Sequence, residues 1–170
     1  MIAGLVIAVF ATMLLEAAIS RRHDARLRAR GAVEPPADVY AAMLVAYPGV
    51  FILVLAEGVW RGVILDGVAV AGLAVFAVAK ALKYWAIASL GERWTFRVLV
   101  PPGSTRTRRG PYRWLPHPNY LAVAGEIVGC AVASHALVTG PIAFAAFGAL
   151  MLQRIKVEEA ALGEGTISST

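Results

Sequence analysis

The sequence predicts an all-α integral membrane protein with about five transmembrane helices, the last two forming a helical hairpin. Composition gives the class. Only 16% of the residues are charged and 59% are hydrophobic, against roughly 25% charged in soluble domains. Distribution gives the count, because a ~30 Å hydrocarbon layer needs about 20 apolar residues per helix at ~1.5 Å per residue. Five such spans consume about 100 of the 170 residues. What remains is a single domain (1–170) with no separate soluble catalytic unit, so a soluble dinucleotide-binding fold is excluded. Any chemistry must sit on helix ends and short connections.

The first span, residues 1–19, is apolar apart from Glu16 and stops at Arg21 and Arg22. Its positive charge follows the apolar run, the reverse of a secretory signal, so it reads as an uncleaved anchor. Residues 20–38 hold five Arg and Pro35-Pro36, a polar connector with a stiff end. The second span, 39–56, is uncharged, and Pro48 can kink it without ending it. Residues 57–62 turn the chain. The third span, 63–82, has Asp66 near its start, and Lys80, Lys83, Tyr84 and Trp85 at its far end read as an interfacial belt.

Residues 91–116 are basic and punctuated by Pro and Gly. Residues 127–153 carry no formal charge. One helix over that length would be about 40 Å long, too long for the layer unless strongly tilted. A hairpin is the alternative: Ser134-His135 looks like a helix stop, and Thr139-Gly140-Pro141 like a cap with an early helical proline. The hairpin is preferred, giving spans 118–133 and 141–155, with a frayed end over 163–170.

With the N-terminus outside, fifteen of the sixteen Lys and Arg fall in inner segments and Arg61 alone lies outside, as the positive-inside bias requires. A cytosolic C-terminus is therefore expected, and the richness in Ala, Gly and Arg points to a bacterial inner (plasma) membrane. The net charge of +5 reflects topology and contact with anionic lipid headgroups or ligands. No nucleic acid partner is expected, since the basic segments lie between spans. The single Cys130 and the three separated His (23, 117, 135) suggest neither a disulfide nor a metal site. Nothing specifies an oligomeric state.

Three clusters can carry chemistry. The densest is residues 108–120, which contains Arg108, Arg109, Gly110, Pro111, Tyr112, Arg113, His117, Pro118, Asn119 and Tyr120. Pro118 excludes His117 from the helical region and suits the first turn of a helix, whose unpaired N–H groups attract anions. A juxtamembrane loop with Arg on lipid headgroups is an equal reading. Glu126 shares a helix face with Asn119 and Cys130. An intramembrane carboxylate is a functional candidate by default, and a structural partnership with Lys80 or Lys83 is the alternative. The third cluster is Arg154 to Glu159, where Arg154 and Glu158 form either an ordinary i,i+4 pair or, brought back by the hairpin to the level of His117, one wall of a pocket. An anion-binding helix start facing two carboxylates suits a zwitterionic ligand.

At these clusters the sequence resembles the isoprenylcysteine carboxyl methyltransferase family of integral membrane methyltransferases, and more loosely the phospholipid methyltransferases. The match runs through Leu90-Gly91-Glu92-Arg93-Trp94-Thr95, Gly110-Pro111-Tyr112-Arg113, His117-Pro118-Asn119-Tyr120 and Arg154 to Glu159. The resemblance implies an S-adenosyl-L-methionine pocket within residues 90–163 at the cytosolic face. Gly110, Pro111, Tyr112, Arg113, His117, Pro118, Tyr120, Glu158 and Glu159 would bind the cofactor. Arg97, Arg154 and Asn119 would serve the reaction, and Trp94 and Glu126 the acceptor.

Two departures bear on the acceptor. Pro116-His117-Pro118 replaces the family's usual Arg-His-Pro, and Trp94-Thr95-Phe96-Arg97 replaces the Asn-His segment of the eukaryotic enzymes. The chain is similar instead to short members acting on lipophilic small molecules such as alkylpyrones or alkylresorcinols. O-methylation of an acidic oxygen of a lipophilic or lipid-modified substrate is the expected activity. Isoprenylcysteine carboxyl methylation proper, or a nonenzymatic lipid-binding scaffold, is the alternative.

Overall fold

The computed structural model describes residues 1–35, 38–102 and 107–167, the side chains of 162–167 excepted. The apolar runs form five helices: α1 (Ile2–Ala29), α2 (Tyr40–Trp60), α3 (Gly67–Leu90), α4 (Pro118–Ala133) and α5 (Thr139–Ile167). Single 3-10 turns stand at Gly91–Arg93 and Gly110–Arg113. Among the described residues there is no strand, only an isolated antiparallel bridge between Val33 and Val100. Helices α1, α2 and α3 are long and apolar enough to cross a bilayer, and α4 is a shorter apolar helix. The chain is an all-α membrane protein.

The hairpin of α4 and α5 forms for local reasons. Pro118 opens α4 at its first position and Ser134 closes it, after which His135 takes a left-handed conformation at φ 52°. The start of α5 is capped from another helix. The Glu57 carboxylate, in the last turn of α2, accepts the N–H groups of Thr139 (2.7 Å) and Val138 (3.2 Å) and the Thr139 hydroxyl (2.6 Å). Asp66 caps α3 by accepting the Ala69 N–H at 2.8 Å and also faces His135 Nε2 at 3.1 Å. These contacts gather at one end of the bundle. At the other end lie the C-termini of α1 and α5, the N-termini of α2 and α4, and the loop residues 91–102 and 107–117.

Helix α3 packs most extensively on α4, through glycines. A Cβ on Gly129 would stand 2.5 Å from the Phe76 backbone nitrogen, and one on Gly125 2.9 Å from the Ala79 methyl. A Gly129→Leu substitution is therefore expected to force the helices apart and lower stability by about 3 kcal/mol or more. A thermal melt of the detergent-solubilised variant checks this, and an unchanged melting temperature would contradict the packing.

Several boundaries differ from the sequence expectation. Helix α1 runs ten residues past 19, because no breaker occurs before Gly31 (φ 79°), so its Arg-rich segment is helical rather than a connector. Helix α2 continues through Glu57 to Trp60, where a short polar link over 57–62 was expected to turn the chain. Helix α3 starts at Gly67 and continues to Leu90. Its Lys80 and Lys83 are no interfacial belt: they are 8% and 2% exposed and paired inside the bundle. Helix α5 begins at Thr139 and extends to Ile167, beyond both 155 and the expected fraying point at 163. Pro36, Arg106 and residues 168–170 lie outside the described residues.

Candidate functional site

A cavity of about 570 Å³ opens at the end of the bundle that carries the loop residues 91–102 and 107–117. It has two halves. Phe10, Met13 and Leu14 of α1, Met43 and Leu44 of α2, and Phe147 of α5 line the apolar half. Leu14 and Leu44 are 68% and 51% exposed, so this half continues onto the lipid-facing surface between α1 and α2. Arg93, Thr107, Arg108, Tyr112, His117, Asn119, Tyr120, Arg154 and Glu158 line the polar half. Trp94 lies at the join, buried, and its Nε1–H donates to Asn119 Oδ1 at 3.2 Å.

The hairpin carries the polar wall. The Tyr120 hydroxyl donates to Glu158 Oε2 at 2.8 Å and accepts from Arg154 Nε at 3.1 Å. Arg154 Nη1 donates to Asp38 Oδ1 at 2.9 Å. Tyr120 therefore bridges Arg154 and Glu158, so this is no simple i,i+4 surface pair. His117 Nε2 faces Glu159 Oε1 at 3.1 Å, and its ring lies 5.6 Å from that of Tyr120. The N-cap residue His117 makes no side-chain capping hydrogen bond to α4, and N–H groups of a helix's first turn can serve an anion. Burial, and after it the charge of Glu158, raises the Tyr112 hydroxyl pKa. Tyr112 enters neutral pH as a hydrogen-bond donor rather than a base.

The other expected residues take different positions. Gly110, at φ 56°, turns the chain where its α-carbon packs beside Ser89 and Trp85 of α3. It and the buried Pro111 shape the loop without lining the cavity. Pro118 is buried at the start of α4. Arg113 is exposed, 5.8 Å from the Trp114 ring centroid. Arg97 lines the cavity, but its guanidinium is held by Glu34 (2.6 Å), by Asp24 (3.7 Å) and over the Tyr40 ring at 4.0 Å. The hydrogen bond to Glu34 raises the Arg97 pKa. Burial opposes ionisation of Glu34, and Arg97 and Arg28 outweigh it, leaving its carboxyl below the usual range.

Glu126 is fully buried and does not line the cavity. With Glu16 it forms an ionic cluster. Lys80 Nζ lies 2.8 Å from Glu16 and 3.2 Å from Glu126, and Lys83 Nζ lies 2.7 Å from Glu16 and 3.4 Å from Glu126. The Tyr47 hydroxyl accepts from Lys83 at 2.9 Å and donates to Glu126. Tyr47 and Lys83 reach the cavity wall. Sequence reasoning singled out neither Tyr47 nor Asp38 and passed over Glu16. The available signal for Glu16 was a carboxylate inside an apolar run, which implies a buried cation partner.

Residues 70–164 match the isoprenylcysteine carboxyl methyltransferase (ICMT) family, more than half of the 170-residue chain. The chain belongs to the ICMT family. It is similar to "Uncharacterized protein YpbQ" of Bacillus subtilis (strain 168), 30% identical over 162 residues that cover 89% of this chain and 90% of that protein. It is also similar to an uncharacterized protein of Haemophilus influenzae (strain ATCC 51907 / DSM 11121 / KW20 / Rd), 26% identical over 145 residues, 85% of this chain and 84% of the other. No solved structure matches it. Membership of the ICMT family together with the apolar helices makes the chain a membrane methyltransferase.

Proposed function

We propose that this ICMT-family protein uses S-adenosyl-L-methionine to methylate an acidic oxygen, a carboxylate or a hydroxypyrone or phenol hydroxyl, on a lipophilic acceptor held in the bilayer. The observation that carries this reading is the two-part cavity: a polar half between α4, α5 and the loop, continuous with an apolar half that opens between α1 and α2.

The donor set fits the cofactor. The volume of about 570 Å³ lies in the range of sites that hold a small molecule. The α4 N-terminus beside His117 suits a carboxylate, Glu158 and Glu159 suit an ammonium or ribose hydroxyls, and Tyr112 and Tyr120 offer aromatic faces. When bound, S-adenosyl-L-methionine supplies an electrophilic methyl group on a sulfonium sulfur. The chain's own contribution is alignment and charge. Positioning alone can supply several kcal/mol of the barrier reduction, roughly 7–11 in favourable cases. Asn119, held by Trp94, and Arg154, held by Asp38, line the polar half and would orient the acceptor oxygen. Both cations are engaged, Arg97 by Glu34 and Tyr40 and Arg154 by Asp38 and Tyr120, and Arg154 takes that role because Tyr120 joins it to Glu158 on the polar wall. The wall of Phe10, Met13, Leu44 and Phe147 would take the acyl tail.

The charged end of the bundle is assigned to the cytosol by the positive-inside bias. Removing the interior Lys80 and Lys83 from the count leaves Arg61 as the one Lys or Arg at the opposite end among the described residues.

The direct test incubates the purified protein with methyl-labelled S-adenosyl-L-methionine and a lipid extract of the source membranes. Label is expected in the organic phase, released as methanol by mild alkali from an ester and retained by an ether. A Met43→Trp variant, which fills the apolar half, is expected to cut this incorporation at least tenfold while leaving cofactor binding unchanged. Equal incorporation by the variant would remove the tail from this half of the cavity.

A further inference from the structure

We propose that Asp38, in the linker between α1 and α2, is a positioning residue of the cofactor site that acts through Arg154. The inference rests on the reading of the polar half as a cofactor site, and it adds a component from outside the family-matching segment 70–164.

Asp38 holds three separate parts of the chain. Its Oδ1 accepts from Arg154 Nη1 at 2.9 Å and from the Tyr40 N–H at 3.1 Å, and its Oδ2 accepts from the Val98 N–H at 2.8 Å. Linker, loop and α5 thus meet on one carboxylate. The pair is buried, with side-chain exposures of 7% for Arg154 and 3% for Asp38. Burying two charges costs desolvation that an apolar pair would avoid, so bundle stability alone is a poor reason for it.

The direction of the hydrogen bonds indicates what it does. Asp38 takes Nη1 of Arg154, which turns Nε toward the Tyr120 hydroxyl, and that hydroxyl is left to donate its only proton to Glu158. Each link fixes the next, from the linker to the carboxylate on the cavity wall. Without Asp38 the guanidinium is free to pair with Glu158 directly, which would withdraw the carboxylate from the cavity and release Tyr120.

The test is a calorimetric titration of the full-length detergent-solubilised protein with S-adenosylhomocysteine. Asp38→Asn retains an acceptor for the Val98 N–H and loses the charge facing Arg154, and its affinity is expected to fall at least tenfold. Ser20→Ala removes a different tie to the same loop, the Ser20 hydroxyl that accepts the Phe96 N–H at 2.8 Å. It is expected to bind within twofold of the parent protein even if it melts lower. In an Arg154→Gln background, adding Asp38→Asn is expected to cause no further loss, since the effect runs through Arg154. A merely structural role would instead give additive losses. If Asp38→Asn does not fold, Asp38→Glu keeps the charge and displaces it by one methylene, and it too is expected to bind more weakly. Unchanged affinity in the Asp38 variants, or additive losses with Arg154→Gln, overturns the proposal. A parent protein that does not bind overturns the cofactor reading itself.

Discussion

Lys83→Met is expected to destabilise the protein by about 3–5 kcal/mol, the cost of breaking a buried ion pair and leaving its partner uncompensated. Lys83 is 2% exposed, and the carboxylates of Glu16 and Glu126 beside it are fully buried. Removing one cation leaves two carboxylates sharing Lys80, and it removes the Tyr47 hydroxyl's donor. The double substitution Lys83→Met with Glu126→Gln restores charge balance and is expected to recover most of the loss. Tyr47→Phe, which removes one hydroxyl, is expected to cost less, about 1–3 kcal/mol. Thermal melts in one detergent provide the comparison. A Lys83→Met protein as stable as the parent would mean that the cluster does not hold α1, α3 and α4 together.

The second large effect falls on ligand binding. His117→Ala and Glu158→Gln are each expected to weaken cofactor affinity by at least about tenfold, because a hydrogen bond to a charged group is worth roughly 1.5–3 kcal/mol. Their stability should change little. His117 meets a half-exposed Glu159, and Glu158 is joined to Tyr120 at the cavity wall rather than in the core. Binding and folding are therefore separable at these two positions, as they are not at Lys83. Variants that melt normally and bind normally would remove both residues from the site.

Local signals in the sequence were sufficient for the hairpin. Pro118, Ser134 and Thr139 act on their own backbone, and α4 spans Pro118–Ala133, the expected bounds. Signals that depend on a distant partner were not readable. Lys80 and Lys83 resemble an interfacial anchor until Glu16 and Glu126, from two other helices, are placed against them. Charge ends a span only when it is unpaired, which is why the end of α3 was set too early. The same holds for Glu57, whose role depends on an α5 N-terminus more than 80 residues away.

The polar wall was legible for a different reason. His117, Tyr120, Arg154 and Glu158 sit on two helices joined by a short turn, so the hairpin alone brings them to one level, and the structure places all four on the cavity. Asp38 reaches Arg154 across 116 positions of sequence through a linker with no motif of its own. Arg97 showed the opposite difficulty. It lies within a matching segment, yet Glu34, Asp24 and Tyr40, all from outside that segment, occupy its guanidinium.

The measurement that bears most directly on the account is the calorimetric titration of the purified protein with S-adenosyl-L-methionine and S-adenosylhomocysteine, beside a nicotinamide cofactor as control. The account predicts binding in the micromolar range for the first two, none for the control, and loss of the signal in His117→Ala. Silence with both adenosyl ligands, from protein shown to be folded by its melting transition, would contradict it and leave the cavity to a lipid alone.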